Sequence, residues 1–131
     1  MDYLLDTHTL LWSLNSSEKL PEHIKEIINN RRNRIFVSNV SLWEIEIKHL
    51  KNPSLMPYTA QKIYNALNRA DFIEMDVRDE YIFELENISS QGIHKDPFDY
   101  LLLATAKCEE MVLISHDANT SLYKDIHVLS Y

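Results

Sequence analysis

Glycine is nearly absent from this sequence: Gly92 is the only one in 131 residues. Phosphate loops and dinucleotide-binding turns need several glycines at fixed spacing, and a nucleophile elbow needs two. P-loop enzymes, GxGxxG cofactor binders and GxSxG hydrolases therefore have no support here. Cysteine is as scarce. Cys108 stands alone, which excludes an internal disulfide framework and a cysteine-only metal site, and suits a reducing cytoplasm. No apolar run approaches the roughly 20 residues of a membrane span. The opening "MDYLLDTHTLLWSL" has an acid at position 2 and no basic leader, so no secretory signal is expected.

Positive charge is the remaining shortage. The chain has 13 Lys and Arg against 20 Asp and Glu, a formal net charge of -7. Nucleic-acid binders usually carry a basic footprint, so this balance argues against one unless several acids surround a cation, which inverts the local field. The charge is also unevenly spread. The segment from Lys48 to Arg69 carries four Lys or Arg and no acid, whereas acids gather between Asp71 and Glu86 and at Asp96 to Asp99.

What is present reads as one ordinary soluble domain spanning residues 1–131. Apolar residues make up 45% and charged residues 25%, and a chain of this length can bury about two thirds of its unfolded surface. "DYLL" (2–5) is a short strand-like run ending at an acid, followed by a helix over "THTLLWSLN". Pro21 suits a first helical turn, with Ile24, Ile27 and Ile28 on one face. "RIFVS" (34–38) reads as a strand and "NVSLWEIEIKHL" as a helix with Leu42, Ile45 and Ile47 or His49 inward, stopped by Asn52-Pro53. Residues 59–69 and 79–88 read as helices with a strand in "DFIEMD" between them. Asp96 to Glu110 is the strongest helix, and "MVLIS" (111–115) and "IHVLSY" are the last strands. This alternation predicts an α/β fold, a three-layer α/β/α sandwich around a central, mainly parallel sheet. In such sheets functional groups gather beyond the carboxyl ends of the strands.

The acids fall at that edge. Asp6 directly follows the first strand, and Asp117 comes two residues after "MVLIS". Glu44 lies in the helix after "RIFVS", and Asp96 and Asp99 open the helix that feeds "MVLIS". So many carboxylates in one cleft repel one another and stay ionised only with a multivalent cation or strong donors. Oxygen ligands in that number suit Mg²⁺ or Mn²⁺ rather than zinc. Each acid also has a plainer reading. Asp6, Asp117 and Asp96 can cap helices, the last with Pro97 at the first helical position, and Glu44 with Lys48 makes a favourable i,i+4 pair. His94 and His116 lie near the acids without a cysteine at ligand spacing; His8 and His49 read as local or surface histidines.

"LLDTHTLLW", "SNVSLWEIEIK", "HKDPFDYLLLATA" and "LISHDANTSLY" occur in that order. Together they resemble the motif blocks of PIN-domain ribonucleases, most of all the VapC-type toxins of bacterial toxin–antitoxin pairs. The blocks run nearly the whole length of the chain. The resemblance implies a metal pocket formed by Asp6, Glu44, Asp99 and Asp117, with Asp96, Ser38 and Ser115 supporting it. It implies Mg²⁺ or Mn²⁺ as cofactor, activating a water for hydrolysis of single-stranded or loop RNA. It also implies a cognate antitoxin that wraps the protein and puts a basic side chain in the carboxylate pocket, and homodimerisation. Tyr100 departs from the pattern, since a basic residue is frequent there; RNA contacts are then expected from Lys48, Lys51, Lys95 and Arg31–Arg34. Trp12, Trp43 and Phe98 could stack bases, although apolar helix positions such as theirs more often belong to a core.

Three other readings are weaker. A signalling receiver needs an acid pair after the first strand and an acceptor aspartate after the third; "LLDTHT" has one acid. An aspartyl phosphatase needs DxDxT, and "DTHTL" has histidine in place of the second aspartate. A catalytically silent binding module of the same fold would not need the full acid set.

Overall fold

The computed structural model describes residues 1–93 and 96–131. Its strands are β1 (Asp2–Leu5), β2 (Arg34–Ser38), β3 (Ile73–Met75), β4 (Val112–Ser115) and β5 (Val128–Ser130). They form one parallel sheet in the order β3-β2-β1-β4-β5. The helices are α1 (Thr7–Asn15), α2 (Glu22–Asn29), α3 (Asn39–Lys51), α4 (Ala60–Arg69), α5 (Asp79–Ser89) and α6 (Pro97–Glu109). A parallel strand must be followed by a crossover, and a helix is the usual one. The alternation in sequence therefore becomes a sheet covered on both faces, the three-layer α/β/α sandwich expected from the sequence.

Register decides which residues face which layer. Leu4 pairs with Phe36 and Leu113, while Tyr3 pairs with Ile35 and Val112. Because side chains alternate along a strand, Leu4, Phe36 and Leu113 point to one face and pack with Tyr81 and Ile88 of α5 and Leu102 and Leu103 of α6. Tyr3, Leu5, Ile35, Val37 and Ile114 point to the other, against Leu10 of α1, Ile24 of α2, Ile45 of α3 and Ile63 and Leu67 of α4. Strands buried on both faces are apolar almost throughout, which is why "DYLL", "RIFVS" and "VLIS" carry no strict polar alternation.

Two helix inner-face expectations shift. Ile45 is fully buried and Leu42 packs against the same core as expected, but Ile47 and His49 are only half-buried, because α3 turns Glu44 and Ser41 inward at the same level. Trp43 is 57% exposed and packs edge-on against Phe98 with ring centroids 5.1 Å apart. Its core reading is thus overturned: α3 presents position 43 to solvent, beside the first turn of α6.

The strand order reverses at β1, whose neighbours β2 and β4 are followed by connections to opposite sides of the sheet. Ligand crevices in open α/β sheets form beyond the carboxyl ends of strands at such a switch. Asp6 follows β1 and Asp117 follows β4, so the two aspartates flank it.

Candidate functional site

A cleft of about 360 Å³ opens at this edge, lined by Asp6, Thr7, His8, Glu44, Lys48, Asp96, Asp99, His116, Asp117 and Ala118. It collects the four acids expected as metal ligands, together with Asp96. A larger depression of about 520 Å³ lies at the opposite edge, where β2 and β3 begin; it is lined by Arg31, Arg34 and Asp71 among others and gathers no acid set.

Local chemistry orients each carboxylate. Asp6 caps α1: Thr9 N–H donates to Oδ1 at 2.8 Å, and His116 N–H donates to Oδ2 at 2.9 Å. The cap reading and the site reading therefore describe the same side chain, which is only 8% exposed. Each carboxylate oxygen has two lone pairs, so both oxygens of Asp6 keep capacity for a further ligand. Asp117 caps the short 3-10 turn Ala118–Leu122 through Asn119 N–H at 2.9 Å, while its own N–H donates to Ser115 Oγ at 3.1 Å. Asp96 is the N-cap of α6; Oδ1 accepts from Asp99 N–H at 2.8 Å, and Pro97 takes the first helical position. Capping by Asp96 sets the direction in which α6 starts, and hence where Asp99 stands.

Glu44 is the most constrained of the set. It is 5% exposed. Its Oε1 lies 2.6 Å from Thr7 Oγ1, which is also 3.0 Å from Ser41 Oγ. Its Oε2 accepts from Lys48 Nζ at 2.6 Å. The i,i+4 pair foreseen for the surface is thus one-sided: the Lys48 side chain is 47% exposed and the Glu44 side chain 7%. Lys48 lines the cleft and is the only cation to do so among the described residues.

Ser38 and Ser115 act behind the cleft rather than in its wall. Ser38 Oγ accepts from Val40 N–H at 3.1 Å and starts α3, the helix that carries Glu44. Ser115 holds the backbone of Asp117 as described. Both are 1% exposed. Tyr100, where a basic residue was anticipated, has a different task. Its hydroxyl donates to Ile93 O at 3.1 Å, and Tyr123 OH donates to the same carbonyl at 2.7 Å. Both phenols brace the chain ahead of α6. Burial pushes the Tyr123 phenol up to about 12, and the nearby Tyr100, Asp99 and Asp117 push it the same way.

Several cationic expectations fall elsewhere. Arg34 begins β2 at the far edge of the sheet, where Nε and Nη2 bond Asp2 at 2.8 and 2.6 Å. At about 3.3 Å per residue, a five-residue strand separates its two ends by roughly 15 Å, so the Arg31–Arg34 cluster does not reach the cleft. Lys51 is exposed at the end of α3 and does not line it. Lys95 and His94 lie outside the described residues.

Sequence reasoning missed Thr7, whose hydroxyl fixes Glu44, and it set aside His8 and His116, which line the cleft. The signal for Thr7 was its position directly after Asp6; nothing local revealed its partner 37 residues away.

The donor set fits a hard divalent cation. Five carboxylates and one ammonium line a single cleft, so oxygens dominate its donor set, with the imidazoles of His8 and His116 beside them. No group of three His, Cys, Asp or Glu side chains among the described residues stands ready-made to hold a metal ion. Asp6 faces two backbone amides and Glu44 faces Thr7 and Lys48, so each of these carboxylates is hydrogen-bonded separately.

An open parallel sheet with an acid-lined cleft at its switch point defines the architectural class. A family model for the PIN domain matches residues 3–125, and the chain belongs to that family. Its structure is similar to VapBC2 from Rickettsia felis bound to a DNA fragment from its promoter, at 15% identity, TM-score 0.73, covering 100% of this chain and 99% of that one. It is similar to DNA-bound VapBC from Salmonella typhimurium at 17% identity and TM-score 0.72, covering 99% of this chain and 98% of that one. It also resembles VapBC-5 from Mycobacterium tuberculosis, a member of the VapBC family of toxin-antitoxin systems, at 17% identity and TM-score 0.62, with coverage of 98% and 96%. At these identities the likeness speaks for the fold. A comparison with curated proteins finds no match.

Proposed function

We propose that this PIN domain is a divalent-cation-dependent endoribonuclease and the toxin half of a toxin–antitoxin pair, with Asp6, Glu44, Asp99 and Asp117 as its catalytic carboxylates. The observation that carries this reading is the meeting of those four acids, from four separate elements, in one cleft beside the β1–β4 switch point. The family match and the VapBC neighbours support it.

Mg²⁺ or Mn²⁺ held by these carboxylates would lower the pKa of a bound water and offset charge on a scissile phosphate. The chain's own residues do the rest. Asp6 is immobilised by two backbone amides, so it offers a fixed oxygen at the floor. Asp96 and Ser115 hold Asp99 and Asp117 from behind. Lys48 shares its charge with Glu44 and is the group best able to turn toward a phosphate entering a cleft that is otherwise acidic. No side-chain nucleophile is needed, in line with the lone cysteine, which is exposed and far along α6.

The substrate in this reading is unpaired RNA, and the activity is cytoplasmic; among the described residues no helix is long and apolar enough to cross a membrane. An antitoxin with a basic side chain would neutralise the acid cleft from outside, and the toxin itself would be a homodimer. Purified protein should cleave single-stranded RNA with Mg²⁺ or Mn²⁺, lose that activity in EDTA, and lose it in Asp99→Asn. Equal cleavage in EDTA, or an active Asp99→Asn, would end the metal-dependent reading. A strictly monomeric mass in solution would refute the dimer.

A further inference from the structure

Beside the acids, the cleft has a wall made of rings. Trp12 of α1 lies 5.6 Å from His8 and 4.6 Å from His116, and His116 lies 5.2 Å from Tyr131, all between ring centroids. The wall is tied to the acid site at two points. The N–H of His116 donates to Asp6 Oδ2 at 2.9 Å, and Tyr131 OH lies 2.7 Å from Thr9 Oγ1, one turn along from Asp6. Burial pushes the Tyr131 phenol up to about 12, the Thr9 hydrogen bond opposes that shift and the charge of Asp6 adds to it, so the ring is neutral and held.

Trp12 and Tyr131 pack against the core beneath the wall, and exposure separates them from the two histidines. Trp12 and Tyr131 are half-buried, whereas His8 and His116, the two rings that line the cleft, are exposed. Their centroids are 6.3 Å apart and their planes 61° apart. A parallel sandwich would need two stacking gaps of about 3.5 Å each. The pair is instead an open V, suited to one flat ring that stacks on one imidazole and meets the edge of the other. The aromatic pair of exposed Trp43 and half-buried Phe98 does not line the cleft.

We propose that His8, Trp12, His116 and Tyr131 form a base-binding wall, on which an unpaired nucleobase adjoining the scissile phosphate stacks against His8 and His116. The proposal rests on the nuclease reading for its choice of ligand. It explains how an acidic protein could hold RNA: stacking is insensitive to net charge and tolerant of sequence, so affinity comes from the base face while the phosphate meets the cation-filled cleft.

Trp43→Phe leaves Trp12 as the single tryptophan of two, a reporter inside the wall. This variant is titrated in EDTA, where hydrolysis does not interfere, with a short oligouridylate and with a ribose-phosphate chain of the same length lacking bases. Trp12 emission should change saturably with the oligouridylate, and the abasic chain should bind about fivefold or more weakly. His8→Ala and His116→Ala, both at exposed positions, should each erase most of that difference. Indistinguishable affinities for the two chains, including no binding of either, or a difference that survives both histidine variants, would overturn the proposal. Cleavage is scored separately with metal. An enzyme that cuts RNA yet ignores the base defeats only the wall; a protein that prefers the base yet never cuts defeats only the nuclease reading.

Discussion

Thr7→Val keeps the shape of the side chain and removes its hydroxyl, so it isolates what holds Glu44 in place. Thr7, Ser41 and Glu44 are 6%, 0% and 5% exposed, and the hydroxyl stands 2.6 Å from the carboxylate and 3.0 Å from Ser41. An ionised carboxylate only accepts, so the Thr7 hydroxyl directs its proton to Glu44 at the shorter distance, with Ser41 Oγ as its second neighbour. A hydrogen bond to a charged group contributes about 1.5–3 kcal/mol, and stranding the Ser41 hydroxyl adds about 1 kcal/mol. Glu44 lines the cleft and can recruit water, which recovers part of the loss. The expected net cost is about 2 kcal/mol, or a Tm lower by roughly 6–10 °C for a domain of this size. Urea melts followed by circular dichroism should show a lower midpoint at unchanged slope. In a Glu44→Gln background the acceptor is neutral, and the same substitution should cost about 1 kcal/mol. A Thr7→Val protein that melts within about 1 °C of the parent, or an equal cost in both backgrounds, would refute the account of a hydroxyl clamping a buried charge.

Asp6→Asn and Asp99→Asn should both lose RNA cleavage, but they should differ in stability. Asp6 accepts one backbone amide on each oxygen, so an asparagine NH₂ faces a donor and costs about 1–3 kcal/mol, whereas Asp99→Asn should melt close to the parent; equal melts for the two would contradict the double cap. Asp96→Ala should lose about 1 kcal/mol of helix capping and Asp96→Ser should regain most of it. If Asp96 only caps, Ser should also restore cleavage, and an inactive, stable Asp96→Ser would make it a ligand. Glu84 and Lys107 tie α5 to α6 as an ion pair. Hydrogen bonds from Lys107 and then Asn87 hold the Glu84 carboxyl below its usual value, against a smaller opposing effect of burial. A depressed carboxyl stabilises the fold fully above its unfolded value, about 4.3, and the contribution is lost as pH falls through the folded value. Melts of the parent and Glu84→Gln should therefore differ near neutral pH and converge in acid; a constant gap would refute it.

The elements were legible because their signals are local. "RIFVS" and "VLIS" are apolar enough to be buried on both faces, and Asp-Pro marks the start of α6 by a cap and a fixed φ. Glu110 ends that helix in a left-handed conformation, φ 54°, with no glycine to announce it, and the boundary was still found because the apolar run stops there. The acids were legible as a group because parallel topology sends every strand's end to the same edge. Their geometry was not. Lys48 was legible as the i,i+4 partner of one Glu44 oxygen, but nothing near Glu44 reveals that Thr7 claims the other, and nothing near Trp43 shows that α3 turns it to solvent.

By itself, then, the sequence determined the order of strands and helices, the three-layer architecture and the identity of the acids at the carboxyl edge. These follow from periodicity, capping and the crossover that parallel strands require, all of which act over a few residues. Only the tertiary structure decided that the arginine cluster sits at the opposite edge with Asp2, and that Asp96 lines the cleft while capping α6. It alone brought Tyr131 against Thr9, 122 residues apart, with His8, Trp12 and His116 beside them. Such contacts join strand ends whose proximity depends on the order β3-β2-β1-β4-β5, a property of the whole sheet that no single segment encodes.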